Sequence, residues 1–287
     1  MRPLRLKIKD RFAQSRKTAI AQRLRTILLC CVILVPVSVF AWSYDSETAT
    51  EMQAAQLRFG AEFTKKWRNG LRLGVGEDLR FDLYNSAVGP HFRKAYTTIG
   101  LGYRPIEYVK LDVGYTLRII GADTTWSATK KADPNEWIRH RVFFGVTGSY
   151  AFDYAKIHLR ERVQLDMRTD SVNLLEKNKC NVLLRSRVGA EALIPGKPVK
   201  PYLWVELINT LNAPEYQRMN GRQFITDVRT QAGVKWRLTR LSSLDFFYRF
   251  SYGYDRDINI TKKNGYIQLT EEKCFMHSIG IYYNLEW

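Results

Sequence analysis

From Leu57 to the last residue, apolar side chains recur at every second position, in segments of roughly 9–14 residues. A helix does not produce that period. A strand with two unlike faces does, because successive side chains leave a strand in opposite directions. The clearest case is Lys156 to Arg168. Ile157, Leu159, Val163, Leu165 and Met167 share one face, while Lys156, His158, Arg160, Arg162, Gln164, Asp166 and Arg168 share the other, and only Glu161 breaks the rule. Val109, Leu111, Val113, Tyr115, Leu117 and Ile119 alternate in the same way with Lys110, Asp112, Gly114, Thr116 and Arg118.

About eleven such segments follow one another: 56–66, 71–82, 92–104, 107–120, 137–151, 155–168, 179–193, 200–211, 222–238, 243–258 and 266–287. Their connections alternate between two lengths. Asn69-Gly70, Arg104-Pro105-Ile106, Phe152-Asp153-Tyr154, Pro195-Gly196-Lys197-Pro198 and Thr239-Arg240-Leu241-Ser242 are tight turns, and longer polar loops lie near 83–91, 121–136, 169–178, 212–221 and 259–265. Soluble β-sandwiches also alternate, but their strands average about 5–6 residues. Strands twice as long predict an all-β fold, a transmembrane antiparallel up-and-down barrel of 10–12 strands. Tyr103, Tyr150, Trp236 and Tyr283 fall near strand ends, where an aromatic girdle meets lipid headgroups.

Strand number poses a problem. If every short turn lies on one side and Trp287 ends there too, the first strand starts on the opposite side, whereas bacterial barrels have even strand numbers. Either Ser43 to Ala55 adds a twelfth strand or one turn is on the wrong side.

The one long apolar run, Thr26 to Ala41, follows nine basic residues between Arg2 and Arg25. A basic stretch, an apolar stretch and small residues at the exit form a secretory signal, with cleavage expected after Val39-Phe40-Ala41. Pro36 interrupts the run, which falls short of the ~20 residues of a membrane-spanning helix. Residues 1–41 are therefore expected to be a cleaved signal and 42–287 the barrel. Removing the signal takes eight net positive charges from +17 and leaves +9, so nearly half of the basicity serves targeting.

Several stretches resemble the outer-membrane barrels grouped as domain of unknown function 2490 (DUF2490). They are Lys65-Lys66-Trp67 through Glu77-Asp78-Leu79-Arg80-Phe81, Gly102-Tyr103-Arg104, and Leu159-Arg160-Glu161-Arg162-Val163-Gln164-Leu165. Pro201-Tyr202-Leu203-Trp204-Val205-Glu206-Leu207, Phe247-Tyr248-Arg249 and the closing strand from His277 complete the series. The resemblance covers nearly all of the mature chain. It implies a location in the outer membrane of a Gram-negative bacterium, contact with outer-membrane lipids, and delivery by the barrel-assembly machinery, which reads terminal strands like the one ending at Trp287. It supplies no catalytic residue.

In a barrel of this size the inward residues decide function. That face is rich in arginine: Arg58, Arg80, Arg118, Arg139, Arg141, Arg160, Arg162, Arg185, Arg187, Arg229, Arg237 and Arg249, with Lys66, Lys110 and Lys235. Its acids are Glu62, Asp78, Asp82, Asp112, Asp166, Glu191, Glu206 and Asp245. The first expectation is a charge-filled lumen in a structural or binding barrel of unknown ligand. The rival is a small anion-preferring pore, since the guanidinium fork binds carboxylate and phosphate bidentately. Both turn on a lumen charge ladder of Arg160, Arg162, Arg185, Arg187, Arg229, Glu206 and Glu191, whose register sequence does not reveal.

Other classes are expected to be absent. His277 and Ser278 are adjacent in a strand and face opposite ways, so they cannot act as base and nucleophile; no enzyme is expected, and an outer-membrane lipid hydrolase stands as the third alternative behind the filled barrel and the pore. Four histidines without paired spacing give no metal site, and no cofactor is expected. The basic residues form no patch with stacking aromatics, so no nucleic-acid partner is expected. Cys180 and Cys274 either form one bridge between outer loops or remain two free thiols.

Overall fold

The computed structural model describes residues 49–83, 91–121, 138–169, 178–213, 225–261 and 266–287. The expected signal at 1–41 and most of each longer connection lie outside the described residues. Eleven strands follow in chain order: β1 (Ala49–Lys66), β2 (Leu71–Asp82), β3 (His91–Ile106), β4 (Val109–Ile120), β5 (Ile138–Ala151), β6 (Ala155–Arg168), β7 (Cys180–Ala192), β8 (Val199–Thr210), β9 (Ile225–Arg237), β10 (Ser242–Thr261) and β11 (Tyr266–Glu286). Each pairs antiparallel with its neighbour in sequence, and β1 meets β11 to close the barrel. The short connections lie at one end, here the turn end, and the long ones at the other, the loop end.

Closure resolves the parity problem in a way the sequence did not suggest. β1 and β11 run parallel, in continuous register from Ala49↔Glu271 to Thr64↔Glu286. An odd number of alternating strands leaves its first and last pointing the same way, so one parallel pair must close the ring. At the turn end this seam is fastened by Lys66 N–H donating to Trp287 O at 2.7 Å and Trp287 N–H donating to Thr64 O at 3.0 Å. Ala49 to Ala55 do not form a twelfth strand; they lengthen β1.

The turns follow local chemistry. Gly70 and Gly196 sit at φ 86° and 71°, conformations that cost a side-chain-bearing residue energy. One turn differs from expectation. β3 continues through Pro105 to Ile106, and the reversal falls at Glu107-Tyr108. Proline cannot donate to a ladder, and the β3–β4 register slips between Tyr103 and Ile106, where its missing N–H does no damage.

Alternation sorts the wall into two faces. The outer one is an apolar belt that includes Ile99, Leu101, Val113, Phe144, Val188, Leu203 and Ile279, the last 60% exposed. Trp67, Tyr103, Phe152, Tyr154, Trp236 and Trp287 are exposed around the turn end. On the inner face, aromatic side chains pack against glycines of the next strand. Phe143 faces Gly114, Trp204 faces Gly189, Tyr202 faces Gly233 and Phe247 faces Gly280, each as a direct cross-strand pair. A Cβ at any of these glycines would collide with its partner. The bare backbone is what lets a ring lie along the wall instead of projecting into the lumen.

Candidate functional site

The ladder residues stand in register. Arg160 on β6 is directly opposite Arg187 on β7, Arg187 is opposite Glu206 on β8, and Glu206 is opposite Arg229 on β9. One step toward the loop end, Arg162 is opposite Arg185. Like charges placed across a strand pair repel each other, so each needs a carboxylate. Glu206 supplies it. The residue is 0% exposed, and its two oxygens take Arg160 Nη2 at 2.8 Å, Arg187 Nη2 at 2.9 Å and Arg185 Nη2 at 2.6 Å. Arg229 comes within 4.0 Å of Glu206 but bonds Asp227 closely. Three guanidiniums on one carboxylate leave this level of the lumen positively charged.

Smaller clusters surround it. Arg162 donates to Asp112 on β4 at 2.8 Å, passing over Gly145 of the strand between. A Cβ at Gly145 would lie 2.9 Å from Asp112 Oδ2, so this bond depends on the glycine. Asp166 takes Arg141 at 2.8 Å and Arg118 at 3.5 Å, and Asp78 is shared by Arg58 and Arg80. Glu191 lies apart from the Glu206 cluster, nearer the turn end, where Lys235 and Lys200 reach it at 3.3 and 3.4 Å.

A second layer supports the cations. Inward rings present their faces to guanidiniums: Arg187 over Trp204 at 3.8 Å, Arg162 over Phe143 at 4.0 Å and Arg80 over Tyr96 at 4.1 Å. Such stacking stabilises a desolvated guanidinium by up to about 2 kcal/mol. At Gly114, Phe143 and Arg162, glycine, ring and arginine form three successive layers from wall to lumen. The sequence reading missed the rings and Asp227, although Phe143, Trp204 and Asp227 share the inward parity of the charges.

The remaining sequence-predicted positions are not brought together. Cys180 and Cys274 are free thiols on β7 and β11, four strand spacings or about 19 Å apart along the wall, whereas a disulfide needs Cα atoms within about 7 Å. His140 and His277 are on the outer face, where Nδ1 pairs with the Tyr115 hydroxyl at 2.5 Å and the Tyr248 hydroxyl at 2.7 Å. His158 lies in the lumen against Gly189. Glu161, the exception to alternation, is on the outer face and accepts a hydrogen bond from Ser186 Oγ at 2.7 Å.

A family model described as "Protein of unknown function (DUF2490)" matches residues 43–261. Among solved structures, one described as "NanC porin structure in rhombohedral crystal form" is similar to this chain at 8% identity and a TM-score of 0.40, covering 69% of this chain and 87% of that one. No curated protein matches.

Proposed function

We propose that the chain, which belongs to the DUF2490 family, is an outer-membrane β-barrel whose lumen is filled at mid-height by its own ion pairs and which holds a ligand or partner instead of serving as an open channel. The observation that carries this reading is the zero exposure of Glu206. A carboxylate lining a pore keeps water on it unless side chains cover it, and here three guanidiniums from β6 and β7 cover it completely. Gln164 and Ser278, both 2% exposed, and Arg58 at 3% extend the packed region around the lumen.

The membrane location rests on the outer face. A closed apolar belt with members half exposed has no place in water, and the aromatic ring at the turn end suits a lipid interface. In this reading residues 1–41 direct export, and the strand ending at Trp287 is the one presented to the assembly machinery of a Gram-negative cell. We assign no catalysis. The outward His140 and His277 are held by tyrosine hydroxyls in the apolar belt, and His158 lies in the field of Arg187, Lys235 and Arg160.

The runner-up, an anion-preferring pore, is favoured by one observation, the imbalance of three guanidiniums on Glu206 and two each on Asp166 and Asp78. Swelling of liposomes containing the refolded protein separates the two. The closed reading predicts no entry of arabinose or of gluconate. Entry of gluconate in preference to arabinose would replace it with the pore.

A further inference from the structure

Arg249 on β10 differs from the arginines around it. Arg58 and Arg80 share Asp78, and Arg229 holds Asp227, but among the described residues no carboxylate lies within 4.0 Å of Arg249. Its Nε donates to Gln231 Oε1 at 2.7 Å, and the rings of Trp204 and Phe247 flank it at 5.2 and 5.4 Å. Among the described residues neither Nη group has a hydrogen-bond partner, and neither is sealed from the lumen space. Asp245, two positions along the same face, is engaged by the Tyr202 hydroxyl at 2.8 Å. Arg58, Arg80 and Arg229 add to the positive field at Arg249, and these four guanidiniums meet Asp78, Asp227 and, 4.0 Å from Arg229, only the Glu206 carboxylate that three other arginines already share.

A lysine in this position could shed its proton. A guanidinium cannot, and its charge must be answered. The free groups are also the part of arginine that presents parallel N–H bonds, a geometry matched by two oxygens of a carboxylate or phosphate. We infer that Arg249 is the centre of a lumen site for a small oxyanion, gripped by its two Nη groups in the positive field of Arg58, Arg80 and Arg229. The site lies one inward position nearer the turn end than the row through Glu206 and Arg229. This inference deepens the reading of the barrel as a binding protein and rests on it.

Calorimetric titration of the purified protein in detergent with inorganic phosphate, and separately with acetate, at fixed ionic strength tests it. The expected result is saturable binding of at least one of them at one site per barrel. Binding should weaken about tenfold or more in Arg249→Gln, as for loss of a charge-assisted contact, and less in Arg249→Lys. Arg237→Gln, at the turn end, should bind as the parent does. If Arg249→Gln does not fold, Arg249→Lys carries the comparison. Absence of saturable binding of either anion by the folded parent overturns the inference, as does undiminished affinity in the folded Arg249 variant. Neither result alters solute entry or conductance, so failure of the site and failure of the closed-lumen reading remain separable.

Discussion

Arg160 on β6 donates to Glu206 on β8, two strands away, at 2.8 Å, and so crosses in front of Arg187, which bonds the same oxygen from the strand between. One carboxylate therefore ties three neighbouring strands together on the lumen side. Removing it is not like deleting a surface ion pair. Glu206→Gln keeps the shape but leaves Arg160, Arg185 and Arg187 facing one another without a counter-charge, a change expected to cost roughly 3–5 kcal/mol. Urea unfolding in lipid, followed by tryptophan fluorescence, should show a large drop in midpoint. An unchanged midpoint would mean that the cluster is not desolvated.

Gly145 should be intolerant of any side chain for an electrostatic reason. In Gly145→Ala the new methyl pushes Asp112 away from Arg162, with an expected loss of about 1–3 kcal/mol. In an Asp112→Asn background the same substitution should cost much less. Equal costs in both backgrounds would show that the glycine serves the backbone alone.

The parallel seam makes a geometric prediction. With Cys180 and Cys274 replaced by serine, Phe59→Cys and Ile281→Cys should join readily through a short bifunctional thiol reagent, because these positions are direct partners about 4.8 Å apart. Phe59→Cys with Val234→Cys, three strand spacings apart, should not. A twelfth strand between β1 and β11 would abolish the first crosslink.

Glu161 and Ser186 test the assignment of faces. A carboxyl group in the apolar belt is tolerated because the Ser186 hydroxyl bonds it at 2.7 Å. Ser186→Ala should destabilise the barrel in lipid by about 1 kcal/mol, and Glu161→Leu should be neutral or stabilising there. A strong loss on Glu161→Leu would place this residue against something other than lipid.

How far the sequence could be read follows from what period and pairing each encode. Alternation is local, so Lys156 to Arg168 revealed its two faces and placed its strand within a residue or so, and Glu161 declared itself as the one exception. Register is not local. Nothing in the chain states that Arg160 stands opposite Arg187, or that Arg162 reaches across Gly145 to Asp112, because those contacts depend on how neighbouring strands slide. The parallel closure was visible only as a contradiction in the count, since the rule of even strand number hid the answer. The turn at Glu107-Tyr108 was misplaced because Pro105 reads as a stop, yet a register slip accommodates it inside β3. The ring layer was missed because Phe143 and Trp204 read as apolar, although their parity put them with the charges.

Single-channel recording in planar bilayers tests the central claim most directly. The protein that gives a heat-sensitive folded band on a gel should insert and remain silent across the usual voltage range, with steps emerging in Glu206→Ala as the cluster loses the residue that holds it shut. Stable, anion-selective steps from the unaltered protein would contradict the account and make the arginine face the wall of an open path.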